Sequence, residues 1–204
     1  MIQRYNPSER ANHWLVALFF ILAGLSGLAL FHPSYFFLSM FFGGGPWTRI
    51  LHPFLGVLMF VFFFFMFTVA WYWRDNIVND NDRRWMKNLR DVITNRDHGL
   101  PEVGKYNAGQ KYLFWTLVTC MALLILSGIV MWRPYFAGLF PILLTRIAVV
   151  VHALAAFVLI MGIIVHIYAA IWVKGSIRAM TRGTVSEAWA RHHHRGWYRK
   201  VTGK

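Results

Sequence analysis

Apolar and polar positions fall into long blocks along this chain rather than into short periods. Four blocks contain no Asp, Glu, Lys or Arg. They run from about Asn12 to Phe31, Ile50 to Trp73, Tyr112 to Trp132 and Ile147 to Val173. Each is long enough to cross roughly 30 Å of hydrocarbon at about 1.5 Å per residue, so each predicts a transmembrane helix. The first block is too long for a cleaved leader, lacks a small-x-small site and follows a polar segment, which favours a retained span. Between the second and third blocks, Trp85, Met86, Leu89, Val92 and Ile93 share one helical face after a possible cap at Asn81 or Asp82. That pattern predicts an interfacial helix, lying on the membrane surface or packed against a partner. The expectation is an all-α integral membrane protein, a four-transmembrane-helix bundle forming one domain over residues 1–204.

Composition agrees with the pattern. The chain is 57% hydrophobic and only 14% charged, outside the usual soluble range. Its net charge of +13 raises the question of nucleic acid. The distribution argues for membrane lipid instead. Of the 21 Lys and Arg residues, all but Arg49, Arg133 and Arg146 lie in the N-terminal segment, the 74–111 loop or the 174–204 tail. The positive-inside rule then places both termini in the cytoplasm. A single cysteine, Cys120, excludes an internal disulfide, a CxxC zinc site and a protein-held Fe–S cluster.

Nine histidines are present, and four lie in or at the ends of the spans: His13, His52, His152 and His166. Ionisable groups at membrane depth are costly and commonly functional. His152 and His166 are 14 residues apart. At about 100° per residue they return to within about 40° of each other, separated by about 21 Å along the axis. His52 opens a span that starts outside and so matches the depth of His152. His13 opens a span that starts inside and matches His166. Two histidine pairs at two levels suit two stacked haems b, because imidazole is a common axial ligand and bundle cores build such sites from facing helices. Two histidines without a nearby Cys or carboxylate suit tetrahedral zinc poorly. Gly24, Gly27, Gly56, Ala153, Ala155, Ala156 and Gly162 make room either for a macrocycle or for close helix packing. His32 reads as solvated and His98 as a loop residue. The run His192–His194 in the basic tail is a weak metal candidate.

A faint internal repeat links Leu25-Ser26-Gly27 with Leu126-Ser127-Gly128, and Thr48-Arg49-Ile50 with Thr145-Arg146-Ile147. It reflects either two related hairpins or similar needs at helix ends. Arg49 and Arg146 suit haem propionates or simple interfacial placement equally well.

Several literal runs carry a family resemblance. They are Arg49-Ile50-Leu51-His52-Pro53-Phe54, Val103 through Lys111, Trp132-Arg133-Pro134-Tyr135-Phe136-Ala137 and Trp172-Val173-Lys174-Gly175-Ser176-Ile177. Through these the chain resembles, over nearly its whole length, the gamma subunits (cytochrome b556) of membrane-bound respiratory formate dehydrogenases. The tail and the inner loop depart most from that pattern. The resemblance implies an outer haem on His52 and His152 and an inner haem on His13 and His166, the same pairing that depth gives. It also implies reduction of menaquinone or ubiquinone on the cytoplasmic side near Asn107 and Gly109. Gln110 adds a further amide, and Lys105 and Tyr106 are candidates to steer protons. Partners would be a molybdenum or tungsten catalytic subunit and an Fe–S subunit, in a bacterial inner membrane. No residue of this chain is expected to act on formate. The nearest rival is the cytochrome b subunit of a quinone-reducing nickel–iron hydrogenase. A histidine-bearing transporter and a stand-alone transmembrane reductase are rivals of other classes.

Overall fold

Four long helices grow from the four apolar blocks, and each starts before its block does. The computed structural model describes residues 1–69, 72–94 and 101–204, with side chains for all of these except 66–69, 72, 92 and 93. Helix α1 spans Pro7–Phe31 and α2 Gly45–Val69. Three short helices follow: α3 (Tyr72–Asp75), α4 (Asp80–Lys87) and α5 (Leu89–Ile93). Then come α6 (Ala108–Met131) and α7 (Ile142–Trp172). The tail forms α8 (Ser176–Arg182), α9 (Glu187–His193) and α10 (Arg195–Thr202). Helices α1, α6 and α7, and α2 from Gly45 to Phe65, are long and apolar enough to cross a membrane.

Local chemistry sets the ends. Helix α1 starts before the apolar block because Pro7 suits the first turn and the Asn6 N–H donates to the Glu9 carboxylate at 2.6 Å. After α1, residues Pro33–Phe42 form a 3-10 helix. His32 is exposed, as expected, and also caps this helix, its Nδ1 accepting from the Ser34 N–H at 3.2 Å. Gly43 closes it in the left-handed conformation, φ 85°.

The chain divides into two compact units. The first holds residues 11–66 and 117–165 and is a four-helix bundle. Ala23, Met59, Cys120, Met121 and Leu159 meet in its core, with Phe19, Leu55 and Leu117 packed around them. Every long helix contributes, and Cys120 is one of the packed residues. Asn12 donates to the Phe62 carbonyl at 3.1 Å, tying α1 to α2. Large apolar side chains such as Leu18, Ile21, Leu154 and Phe157 are exposed. That is the arrangement of a bundle solvated by hydrocarbon.

The second unit holds residues 1–10, 67–116 and 166–204. Strand β1 (Ile2–Gln3) pairs antiparallel with β2 (Thr184–Val185), Ile2 opposite Val185. The N–H groups of Arg4 and Tyr5 both donate to the Gly183 carbonyl, at 2.8 and 3.2 Å. A Cβ at Gly183 would lie 2.7 Å from the Tyr5 carbonyl oxygen, so only glycine fits. The Arg4 guanidinium is buried over the Trp189 and Trp197 rings, 5.1 and 4.9 Å from their centroids. The tail is therefore built structure, held by the N-terminal residues.

The expected interfacial helix differs in detail. Its cap is Asn79, not Asn81 or Asp82, and Asp82 serves as the third residue of a reciprocal capping box. The helix breaks at Asn88 into α4 and α5. Trp85 is buried, whereas Leu89 is exposed. The side chains of Val92 and Ile93, and all of His98, lie outside the described residues. Lys111 reaches Asp82 at 2.8 Å, both side chains nearly buried, and also donates to the Ile77 carbonyl.

Candidate functional site

His52 lies one turn into the apolar part of α2, and His152 lies in the first half of α7. Both rings are half-buried within the bundle unit. They face each other with centroids 6.2 Å apart and planes at 73°. Two metal–imidazole bonds of about 2 Å, plus half a ring at either end, come to about 6 Å. The separation therefore leaves room for one ion held between the two imidazoles. Among the described residues, no group of three or more His, Cys, Asp or Glu is placed to hold a metal. Two imidazoles suit an ion whose remaining positions are filled by a macrocycle, and they leave a tetrahedral ion short of ligands.

Each ring rests on a small residue of the preceding helix. A Cβ at Gly27 would meet His52 Cε1 at 3.1 Å, and one at Gly128 would meet His152 Cε1 at 3.6 Å. Beside each glycine stands a serine. Ser26 Oγ lies 2.9 Å from His52 Nδ1, and Ser127 Oγ lies 2.9 Å from His152 Nδ1. The Leu-Ser-Gly repeat thus marks one contact made twice, once in each hairpin. The Thr-Arg-Ile repeat does not share that register. Thr48 precedes its histidine by four residues and Thr145 by seven. Each threonine simply bonds the carbonyl four residues back, at Gly44 and at Pro141. The first repeat therefore carries the same serine–histidine contact in both hairpins, and the second the same helix-end bond.

His13 is half-buried on α1, with its ring edge-on to Trp14 at 5.2 Å. His166 is carried by α7, 14 residues after His152. The two belong to different compact units.

In the second unit, Asn107 and Gln110 embrace across the start of α6. The Asn107 N–H donates to Gln110 Oε1 at 3.0 Å, and the Gln110 N–H donates to Asn107 Oδ1 at 2.8 Å. This is a capping box, and it uses both side-chain oxygens. What each amide offers a ligand is its NH2 group. A Cβ at Gly109 would make only ordinary contacts, 3.5 Å to Asn107 Oδ1 and 3.8 Å to Trp85. Lys105 lies 3.9 Å from Glu9 and 3.7 Å from Asp75, and Tyr106 is buried.

A family model described as prokaryotic cytochrome b561 matches residues 4–183, most of the chain. The chain belongs to that family. Cytochromes b561 of this kind are membrane helical bundles that carry haem b, so the chain is a multi-pass membrane protein with an electron-transfer role. Similar chains agree. The formate dehydrogenase cytochrome b556(fdo) subunit of Escherichia coli strain K12 is 48% identical over 200 residues, covering 98% of this chain and 93% of that one. The nitrate-inducible cytochrome b556(Fdn) subunit of the same strain is 42% identical, covering 98% and 92%. The formate dehydrogenase cytochrome b556 subunit of Haemophilus influenzae is 43% identical, covering 98% and 83%.

Within this cytochrome b561 chain, sequence reasoning passed over two features. Ser26 and Ser127 were visible only as part of a repeat, because a bond between helices 26 or 25 residues apart has no local signature. His194, read as part of a weak metal candidate, is instead locked in place. Its Nδ1 donates to the Gly104 carbonyl at 2.8 Å, and its Nε2 accepts from Arg4 Nη2 at 3.2 Å. Burial first, and the Arg4 cation second, push its pKa down to about 3.

Proposed function

We propose that this chain is the dihaem cytochrome b subunit of a membrane-bound formate dehydrogenase. It carries electrons from a periplasmic Fe–S subunit to quinone reduced on the cytoplasmic side. The observation that carries the reading is the facing pair His52 and His152, found in a chain similar over its whole length to formate dehydrogenase cytochrome b556 subunits. His52 and His152 hold the outer haem, and His13 and His166 hold the inner one. When bound between two histidines, haem b supplies one-electron transfer without an open iron position.

The chain's own residues do the rest. The apolar walls of α1, α2, α6 and α7 keep water away from the ligand rings. The NH2 groups of Asn107 and Gln110 are available to quinone carbonyls, with Gly109 keeping that approach free of a side chain. Lys105 and Tyr106 stand beside them as proton-bearing groups. The basic segments hold both termini in the cytoplasm of a bacterial inner membrane. Formate itself is handled by the molybdenum or tungsten subunit. Electrons moving inward while protons are consumed inside would contribute to proton motive force.

Purification of the intact complex tests this reading. The expected partners are a molybdopterin subunit and an Fe–S subunit, and formate should reduce the haem absorbance. A nickel–iron partner, or haem reduced by hydrogen and not by formate, would overturn it. Asn107→Ala should slow quinol formation while haem reduction by formate persists. Unchanged quinone turnover would remove the amide from the site.

A further inference from the structure

We propose that Ser26 and Ser127 are positioning residues for the haem ligands, each fixing its histidine as the Nδ1–H tautomer and so directing Nε2 at the iron. The inference rests on the proposed haem site at His52 and His152.

Each serine hydroxyl has a single hydrogen to donate. Ser26 is fully buried, and its Oγ touches three acceptors or partners. It lies 2.8 Å from the Leu22 carbonyl oxygen, 3.0 Å from that of Ala23 and 2.9 Å from His52 Nδ1. Ser127 is buried in the same way. Its Oγ lies 2.6 Å from the Leu123 carbonyl oxygen, 3.3 Å from that of Leu124 and 2.9 Å from His152 Nδ1. A carbonyl oxygen carries no hydrogen. If the hydroxyl hydrogen turned to Nδ1, two oxygens would stand at 2.8 or 2.6 Å with no proton between them. The arrangement that satisfies every contact sends the hydroxyl hydrogen to the carbonyl. Nδ1 must then be a donor, and its hydrogen is shared between Oγ and the neighbouring carbonyl of Ala23 or Leu124.

Two consequences follow for the ring. Nε2 keeps its lone pair, which coordination requires. Oγ, accepting from Nδ1–H, also makes the imidazole a stronger electron donor, and partners of this kind typically change metal affinity about 10–100-fold. A stronger donor favours ferric over ferrous iron. The same device occurs in both hairpins, each time with a glycine next in sequence that leaves space for the ring. Packing alone needs a small residue at these positions. It does not need an oxygen aimed at Nδ1 twice.

The test uses the intact membrane complex carrying Ser26→Ala, Ser127→Ala or both, with Ser→Thr at each site as the variant that keeps the hydroxyl. Haem content and a redox-poised optical titration are the readouts, with His152→Ala in parallel. The Ala variants should raise the outer haem's potential by roughly a tenfold loss of ferric preference, about 59 mV, while the inner haem is unmoved. The Thr variants should return towards wild type. Ala variants that titrate like wild type would overturn the proposal, as would Thr variants that behave like Ala. If an Ala variant loses haem, retention in its Thr counterpart supports the proposal and loss in both overturns it. If His152→Ala keeps both haems, the haem site itself is wrong. If it loses one while the serine variants are silent, only the positioning role fails.

Discussion

Two parts of this molecule use histidine in the same tautomer and reach opposite ends. In the bundle, His52 and His152 each place Nδ1 against a serine, and the two rings face each other at 6.2 Å. In the terminal unit, His194 places Nδ1 against the Gly104 carbonyl and meets Arg4 with Nε2. The first arrangement anchors one nitrogen on a serine, in a ring that has a second imidazole ring beside it. The second consumes both nitrogens, and the group at the lone pair is a cation. A histidine reads as a ligand when its anchor is one-sided and its free edge meets another ligand. It reads as structure when both edges are committed. The neighbour of each ring distinguishes the two cases: a second imidazole for His52 and His152, and the Arg4 cation for His194.

That contrast can be strained from either side. The largest expected effect lies in the terminal unit. Lys111→Ala leaves the nearly buried Asp82 carboxylate without its cation and should destabilise that unit by about 3–5 kcal/mol. Denaturant-dependent proteolysis would report it, and the spectrum of the outer haem should stay put. If the outer haem is lost as well, the two regions are not independent.

Acid should come next. His194 titrates near 3 in the fold against an ordinary value of 6.5, so the folded state disfavours its proton. Its contribution to stability is complete above 6.5 and is lost as pH falls from about 6.5 towards 3. Hydrogen exchange at residues 183–199 should therefore quicken as pH is lowered stepwise, after correction for intrinsic rates. His194→Asn, which keeps a donor for Gly104 but does not titrate, should flatten that slope. An unchanged slope in the variant would assign it to other groups.

The smallest effect separates the two hairpins. Gly27→Ala forces the His52 ring to move and should cost about 1–3 kcal/mol in the haem-bound bundle. Gly128→Ala makes an ordinary contact at 3.6 Å and should be nearly neutral. Thermal melts followed at the haem absorbance would rank them. Equal melts would mean that the rings are not seated as described.

Much of this was legible in the sequence. The four helices follow from the absence of charge over long runs, because lipid demands that the backbone satisfy itself. The matched depths of His52 and His152 follow from the direction of each span. Helix ends were less legible. Hydropathy marks where the apolar block stops, while α1 continues back to Pro7 on cap chemistry. The terminal unit was the least legible part. Its contacts join residues 2–5, 102–105 and 183–199, and nothing local in a basic tail announces that Arg4 will sit between two tryptophans. The amide pair at 107 and 110 shows a further limit. The sequence marks these residues only as quinone-site candidates, and the geometry shows them also as a helix cap that leaves the NH2 groups for a ligand.

The central claim is that one haem sits between His52 and His152. Haem content per chain, with a redox difference spectrum, should be measured for the intact complex and for His52→Ala and His152→Ala separately. The account predicts two low-spin haems in the wild type and the same single haem remaining in either variant. Two haems surviving in either variant, or different haems lost in the two, would contradict it.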